Sequence, residues 1–283
     1  MLDDEGYLAI QSYYDHQDLR IRSMNRIRAI IKARAEGKSL REVEKKKDEK
    51  DFADKYADKK LPGILLRLKN EGKIAAEEYE YINNLLNVAK EEKKFEEKYK
   101  PLMMDWIGTV PIYQQYLKYI KGLGPVLSAG LIYYIDMTKV HHASSIWKYA
   151  GLAPVDGHTV KPMKGRRINY NPDFRTFCWK VGDSLLKKRT QPYRKIYDEE
   201  KKRVLEMHEN PNYTEIIWDK EQKAWIVGRC KSPPLHAHRR AMRKMIKRFL
   251  ADYYENWRKV NGQPPDEPYA VAILNHTKEE NKQ

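Results

Sequence analysis

The chain has 283 residues, of which 41% are hydrophobic and 34% charged, and its formal net charge is +15 at pH 7. This length and apolar content, with six Trp, exclude wholesale disorder and allow one large domain or two smaller ones. The positive surplus favours a polyanionic partner, nucleic acid before an anionic membrane. The alternative is a charge-rich surface in which both signs are enriched.

Cysteine content and hydropathy indicate the cellular setting. Only Cys178 and Cys230 occur, which excludes a disulfide framework and favours a reducing compartment. No apolar run approaches the roughly 20 residues that span a bilayer. The first residues lack the basic-then-apolar order of a signal peptide. We therefore expect a cytoplasmic, nucleoid-associated protein without a membrane partner.

Residues 1–100 are predicted to form charged helices, either coiled-coil-like or extended. Met24, Ile27 and Ile31 share one helical face, and runs of mixed charge at helical spacing follow along the chain. Basic and acidic side chains nearly balance in this region. We therefore expect it to dimerise the protein or hold a partner rather than to bind nucleic acid.

Residues 101–276 are predicted to form a compact helical domain, and residues 277–283 a frayed tail. Basic side chains outnumber acidic ones by eighteen to nine over 101–208 and by ten to two over 229–260. A β-hairpin is predicted over 213–228, where YTEIIW and AWIVG flank a polar turn. A long basic helix is predicted over 235–260. The fold class is therefore mainly α with one small hairpin.

The segment 119–135, YIKGLGPVLSAGLIYYI, is typical of a helix-hairpin-helix. Gly122 and Gly124 permit a tight turn with positive φ, and the helix that follows opens with free backbone N–H groups. A phosphate oxygen is expected there, close to Lys121 and the small residue Ser128. The alternative is a plain turn between packed helices, because GxG alone is a weak signal.

A second basic stretch lies in a loop bounded by Gly and Pro, with Tyr170 and Phe174 nearby. Such a loop suits a nucleic-acid backbone, with the aromatic rings stacking on unpaired bases. The alternative is a solvated loop. The candidate binding residues here are Lys161, Lys164, Arg166, Arg167 and Arg175.

The basic helix adds a third group of candidate nucleic-acid-binding residues. These cations are spread over nearly all angles of the helix, so some must be solvated rather than bound. They are Arg239, Arg240, Arg243, Lys244 and Lys247.

Three separate motifs in order, GLGPVLSAGLI, WKYAGLAP and INYNPDFRTFCWKVG, resemble the carboxyl-terminal domain of the insertion-sequence 116/110/902 transposases. PPLHAHRRAMRKMIKRFLADYYENWR and EPYAVAILNHT are similar to archaeal-type members. The resemblance covers roughly 110–276. It implies a mainly helical domain that packs against DNA and guide RNA and supports oligomeric assemblies.

Two features of that family are not found. Its members begin with a ribonuclease-H-like domain bearing four acidic metal ligands, whereas Asp3, Asp4, Glu5 and Asp15 here lie in helical sequence with no strand to present them. The family's serine nucleophile follows its GLxP motif, where this chain has Thr159, with His158 as its nearest base. We expect no catalytic residues.

Cys230, His236 and His238 are the residues that invite a zinc site. Because no second Cys lies nearby and the spacing matches no closed four-ligand set, we expect no metal and no other cofactor.

The sequence therefore predicts a transposase-related protein that binds the phosphate backbone of duplex or branched DNA and forms a homo-oligomer, first of all a dimer. One alternative is a strand-exchange or recombinase subunit that uses Thr159 or a nuclease domain supplied in trans. The other is a partner of a structured RNA.

Overall fold

The computed structural model describes residues 4–41, 58–155, 158–159, 162, 165, 167–219, 221–222 and 224–264. The helices are α1 (Asp4–Ala35), α2 (Leu61–Asn70), α3 (Ala76–Gly108), α4 (Pro111–Gln115), α5 (Pro125–Tyr134), α6 (Ala143–Tyr149), α7 (Pro172–Lys187), α8 (Tyr193–Glu209) and α9 (Pro233–Val260). The described residues also form two antiparallel strand pairs: β1 (Pro154–Val155) with β2 (His158–Thr159), and β3 (Glu215–Asp219) with β4 (Ala224–Gly228). The predicted mainly α fold is confirmed.

The chain divides into two compact units, Met1–Asp105 and Trp106–Gln283. The boundary expected at residue 100 falls within α3. No helix in the described part of either unit is both long enough and apolar enough to cross a bilayer.

The first unit packs α1, α2 and α3 around an aliphatic core. Ile27 and Ile31 of α1 are fully buried with Leu65 of α2 and Ile82 of α3. Burying such side chains stabilises the unit by about 1.5–3 kcal/mol each. Ion pairs then join α1 to α3, and they are made by Arg34 with Glu78 and by Arg20 with Glu96.

The second unit is built around α9, along which α8 packs most extensively. The apolar stripe of α9 repeats every four residues, and one such helical face is expected to turn inward. Its members Ala241, Met245, Phe249 and Tyr253 are all buried. Helices α6 and α7 also contact α9. Side chains of α9 beside the buried stripe therefore lie next to α6, α7 and α8.

The hairpin β3–β4 follows α8 and precedes α9. Its register places Trp218 opposite Trp225, and the two rings meet edge to face at 5.4 Å. Asp219 accepts hydrogen bonds from the backbone N–H groups of Glu221 and Gln222 and so closes the turn. The hairpin predicted from two apolar runs on either side of a polar turn is therefore present.

Candidate nucleic-acid interface

The turn at 120–124 is held by the carboxyl-terminal end of α7. The backbone φ of Gly122 is +96°, a value that residues with a side chain rarely adopt. The Ser184 hydroxyl donates a hydrogen bond to the Gly122 carbonyl oxygen at 2.6 Å, and the Thr190 hydroxyl donates one to the Lys121 carbonyl oxygen. A Cβ added at Gly122 would lie 3.2 Å from Lys188 Cβ. The turn conformation therefore depends on a glycine and on the residues that end α7.

Gly124 does not have the positive φ expected from the sequence. It is the N-cap residue of α5, with φ −76° and ψ 174°, and a Cβ there would meet nothing within 4 Å. This extended backbone conformation has a negative φ and is open to any residue. The bend itself is made at Gly122. The segment before the turn is also not a full helix: α4 has five residues and Leu117–Tyr119 forms one 3-10 turn.

The amino terminus of α5 lies directly after this turn. Pro125 has no N–H, and the Ser128 N–H already donates to the carbonyl of Gly124. The N–H groups of Val126 and Leu127 lie in the first turn, where an α-helix supplies no acceptor. Lys121 is exposed beside them. The Ser128 side chain is fully buried, so its hydroxyl lies in the core and not on the surface where the sequence placed it.

The basic loop is described only in part. Lys161, Lys164 and Arg166 lie outside the described residues, whereas Arg167 is described and exposed. Tyr170 and Phe174 are buried, so the expectation that they stack on unpaired bases is wrong. Both rings are instead buried in the second unit, Tyr170 just before α7 and Phe174 in its first turn.

Tyr170 closes the loop against the GLAP motif. Gly151 has a φ of +62°, and a Cβ there would lie 2.7 Å from Cγ of the Tyr170 ring. The Arg175 guanidinium lies over the same ring, with its Cζ 5.0 Å from the centroid. Asn171 then caps α7, accepting hydrogen bonds from two backbone N–H groups of the first turn. These contacts hold the Arg175 guanidinium against the Tyr170 ring at the start of α7.

The cations of α9 separate into two groups, and the first is shared with one acidic residue of α8. Glu200 is only 3% exposed and lies within ion-pair distance of three cations. Its oxygens lie 2.6 Å from Arg203, 3.2 Å from Arg240 and 2.8 Å from Lys244. Burial raises the pKa of Glu200, but hydrogen bonds from Arg203 and Lys244 outweigh it and lower the pKa to about 2. One carboxylate against three cations leaves a positive surplus.

The second group, which we call the cationic cluster, consists of Arg175 of α7 with Arg243 and Lys247 of α9. Burial, and then the positive charges of Arg175 and Arg240, lower the pKa of Arg243. Burial, and then Arg243, lower the pKa of Lys247. Within the described ranges, neither Arg243 nor Lys247 forms an ion pair with a carboxylate. Arg243 and Lys247 are thus desolvated cations with like charge beside them, an arrangement that an anion would relieve.

The surroundings of the cluster keep its cations in place. Lys247 Nζ lies 4.3 Å from the centroid of the Trp147 ring, and the Trp147 indole N–H donates to the Lys247 carbonyl at 2.9 Å. Such a cation–π contact positions an ammonium group without neutralising it. Arg239, one turn before Arg243 on α9, is exposed.

The residues considered for zinc from the sequence are not brought together as a set. His238 Nδ1 is hydrogen-bonded to the Tyr197 hydroxyl at 2.7 Å, and His236 faces His208 instead. Cys230 is half-buried. Of the residues considered for catalysis, His158 and Thr159 pair in the backbone with Val155 and Pro154, and their side chains lie outside the described part.

Residues 114–198 match the sequence model of the Transposase IS116/IS110/IS902 family. The matched segment runs from the end of α4 into α8 and contains the turn at Gly122, the GLAP motif and Arg175. This match confirms the resemblance seen in the sequence motifs. Comparisons with curated proteins and with solved structures gave no match.

Proposed function

We propose that this chain is a transposase-related DNA-binding protein whose second unit binds the phosphate backbone of duplex or branched DNA. The observation that carries the proposal is the cationic cluster. Three cations from α7 and α9 lie together, partly removed from water, and the pKa values of Arg243 and Lys247 are lowered by burial and by neighbouring positive charge. Phosphate is an anion that such a cluster suits, and DNA presents it in a regular row.

The turn at Gly122 supplies a second phosphate contact in this proposal. Lys121 and the free N–H groups at the start of α5 act together there, because the helix dipole favours an anion at the amino terminus. Gly122 lies against Ser184 of α7 and the C-cap residue Lys188, and Arg175 lies nearer the start of the same helix. At 1.5 Å per residue the two contacts are about 15–20 Å apart along α7. That is less than one turn of duplex DNA, about 34 Å.

Contacts of this kind position DNA without reading its sequence. The loop cations Lys161, Lys164, Arg166 and Arg167 extend the same basic surface in this proposal, on sequence grounds alone. The first unit, in which acidic and basic side chains nearly balance, has in this proposal the role of joining two copies of the chain or of holding a partner, on sequence grounds alone.

The test is equilibrium binding of the full chain to labelled duplex DNA over a range of salt concentrations. The logarithm of the affinity should fall linearly with the logarithm of salt, by about 0.9 for each phosphate neutralised. Structured RNA is added as a competitor. An affinity independent of salt would contradict the proposal, and displacement by RNA at far lower concentrations than by duplex DNA would favour the RNA-partner alternative.

A recombinase subunit is the second candidate, and the family match over 114–198 is the observation in its favour. A nucleophilic hydroxyl would attack a DNA phosphodiester, losing its proton to a base, so that a phosphate ester to the protein replaces the bond to a deoxyribose oxygen, which leaves as a free hydroxyl. Nicked duplex DNA incubated with the protein and then denatured distinguishes the two functions. An adduct that Thr159→Ala abolishes would show the enzyme, and a protein that only binds would form none.

A further inference from the structure

Three potential metal ligands from three elements converge beside the hairpin. His208 lies near the end of α8, Glu215 begins β3 and His236 lies in the first turn of α9. His208 Nε2 lies 3.0 Å from His236 Nδ1 and 3.8 Å from Glu215 Oε1. His236 Nδ1 lies 3.2 Å from the same carboxylate oxygen. The three side chains are 8%, 13% and 25% exposed for His208, Glu215 and His236, so they face one another rather than water.

The separations of these atoms match the first shell of a small divalent ion. The circle through three points 3.0, 3.2 and 3.8 Å apart has a radius of about 2.0 Å. Zinc bonds imidazole nitrogen at about 2.0–2.1 Å and carboxylate oxygen at about 2.0–2.2 Å. An ion slightly above the plane of the three atoms would therefore lie at its preferred distance from each of them.

Hydrogen bonding alone satisfies this cluster poorly. The three facing atoms are two imidazole nitrogens and one carboxylate oxygen, and two N–H groups would clash across the 3.0 Å between His208 Nε2 and His236 Nδ1. One proton must then serve three atoms. A cation would satisfy all three lone pairs, which is the reason that buried groups of this type are associated with metals.

One tyrosine contacts two of the three side chains. The Tyr213 hydroxyl lies 3.4 Å from the other oxygen of Glu215, and its ring packs edge-on to His208 at 5.1 Å. Tyr213 can thus hold Glu215 and His208 in the orientation that a bound ion would need.

We propose that His208, Glu215 and His236 bind a zinc-class transition-metal ion, with the fourth position open to water. The ion joins the end of α8, the hairpin and the start of α9, three elements that follow one another in the chain. None of its three ligands is among the residues of the proposed DNA contacts. It also replaces the expectation of no metal with a ligand set of which the sequence identified only His236.

The test uses the full chain without an affinity tag, stripped with a chelator and then titrated with Co²⁺, a spectroscopic substitute for Zn²⁺. The parent protein should bind one equivalent and develop the visible absorption of a nitrogen- and oxygen-ligated site, and Zn²⁺ should displace the Co²⁺. His208→Gln and His236→Gln should each lose this band. Tyr213→Phe should keep it but bind about tenfold more weakly. His238→Gln is the matched control on the same helix and should bind as the parent does.

Folding is followed in parallel by circular dichroism, and Glu215→Gln provides a third ligand variant that preserves side-chain volume. Zn²⁺ should raise the Tm of the parent and of His238→Gln but not that of the ligand variants. Absence of saturable Co²⁺ binding in the parent would overturn the proposal. Equal binding by the parent and by folded His208→Gln and His236→Gln would overturn it as well. Because no step involves DNA, failure here leaves the proposed DNA binding unaffected.

Discussion

Neutralising Arg243 and Lys247 together removes two of the three cations of the cluster and so tests its part in DNA binding. Each phosphate contact contributes about −0.9 to the slope of log affinity against log salt, so the double variant Arg243→Gln/Lys247→Gln should have a slope less negative by about 1.8. Over a fourfold rise in salt, the variant should therefore lose about 12-fold less affinity than the parent. At low salt it should bind more weakly than the parent.

The same change should not damage the fold. Burial and neighbouring cations lower the pKa of both residues, so their charged forms are disfavoured in the folded protein relative to the unfolded chain. Replacing them with neutral side chains relieves this repulsion and offsets the lost contact between Lys247 and Trp147. We expect the free energy of unfolding to change by less than about 1 kcal/mol. Thermal unfolding of parent and variant checks this.

The assay is fluorescence anisotropy of a labelled duplex at several salt concentrations, with Lys187→Gln/Lys202→Gln as the control. The control loses the same net charge in the same unit, but its two lysines are exposed and paired with Asp183 and Glu206. Its slope should stay close to that of the parent. If both double variants changed the slope equally, net charge alone would explain binding and the cluster would have no special role.

Two further predictions concern stability. Gly122→Ala should cost about 1–3 kcal/mol because φ is +96° and Lys188 and Ser184 crowd the new Cβ, whereas Gly124→Ala should change stability by less than about 0.5 kcal/mol; chemical unfolding compares them. Glu200→Gln should cost about 1–3 kcal/mol near neutral pH, since it weakens charged hydrogen bonds to Arg203, Arg240 and Lys244, and Glu199→Gln is the exposed control. Because the pKa of Glu200 is lowered to about 2 from 4.5, its contribution is present above pH 4.5 and is lost as the pH falls towards 2; thermal unfolding across that range should show the parent and Glu200→Gln converging, and a constant difference would contradict the assignment.

Local patterns in the sequence were enough to predict the elements whose cause is local. The stripe Ala241, Met245, Phe249 and Tyr253 repeats at helical spacing, and it is the buried face of α9. The apolar runs on either side of a polar turn form β3 and β4. In both cases the residues that determine the structure are close together in the chain, so the pattern contains the information.

The roles of individual glycines and cations depended on distant residues and were not predictable. Gly122 rather than Gly124 has the positive φ because Ser184 and Thr190 hold the turn, about 60 residues further along. Arg240 and Lys244 are paired because Glu200 of α8 lies against α9, while Arg243 and Lys247 face Arg175 and Trp147. Their four-residue spacing does place each pair on one face, which is a usable signal once α8 is known to pack there.

The grouping of His208, Glu215 and His236 had no signature in the sequence. Two of the ligands are seven residues apart and the third follows 21 residues later, across a hairpin whose geometry had to be known first. Zinc motifs are recognised when two ligands are separated by two to five other residues in the chain, and no two of these three ligands are spaced so closely. Only the packing of α8, β3 and α9 brings them to one point.

Cross-linking of the full chain to duplex DNA with photoreactive groups on its phosphates tests the central claim most directly. The cross-linked peptides, identified by mass spectrometry, should contain the turn around Lys121, the start of α7 with Arg175 and the stretch of α9 from Arg239 to Lys247. Because cross-links report proximity rather than affinity, they locate the DNA even if several contacts share the binding energy. Cross-links confined to α1, α2 and α3 would contradict the claim that the second unit holds the DNA.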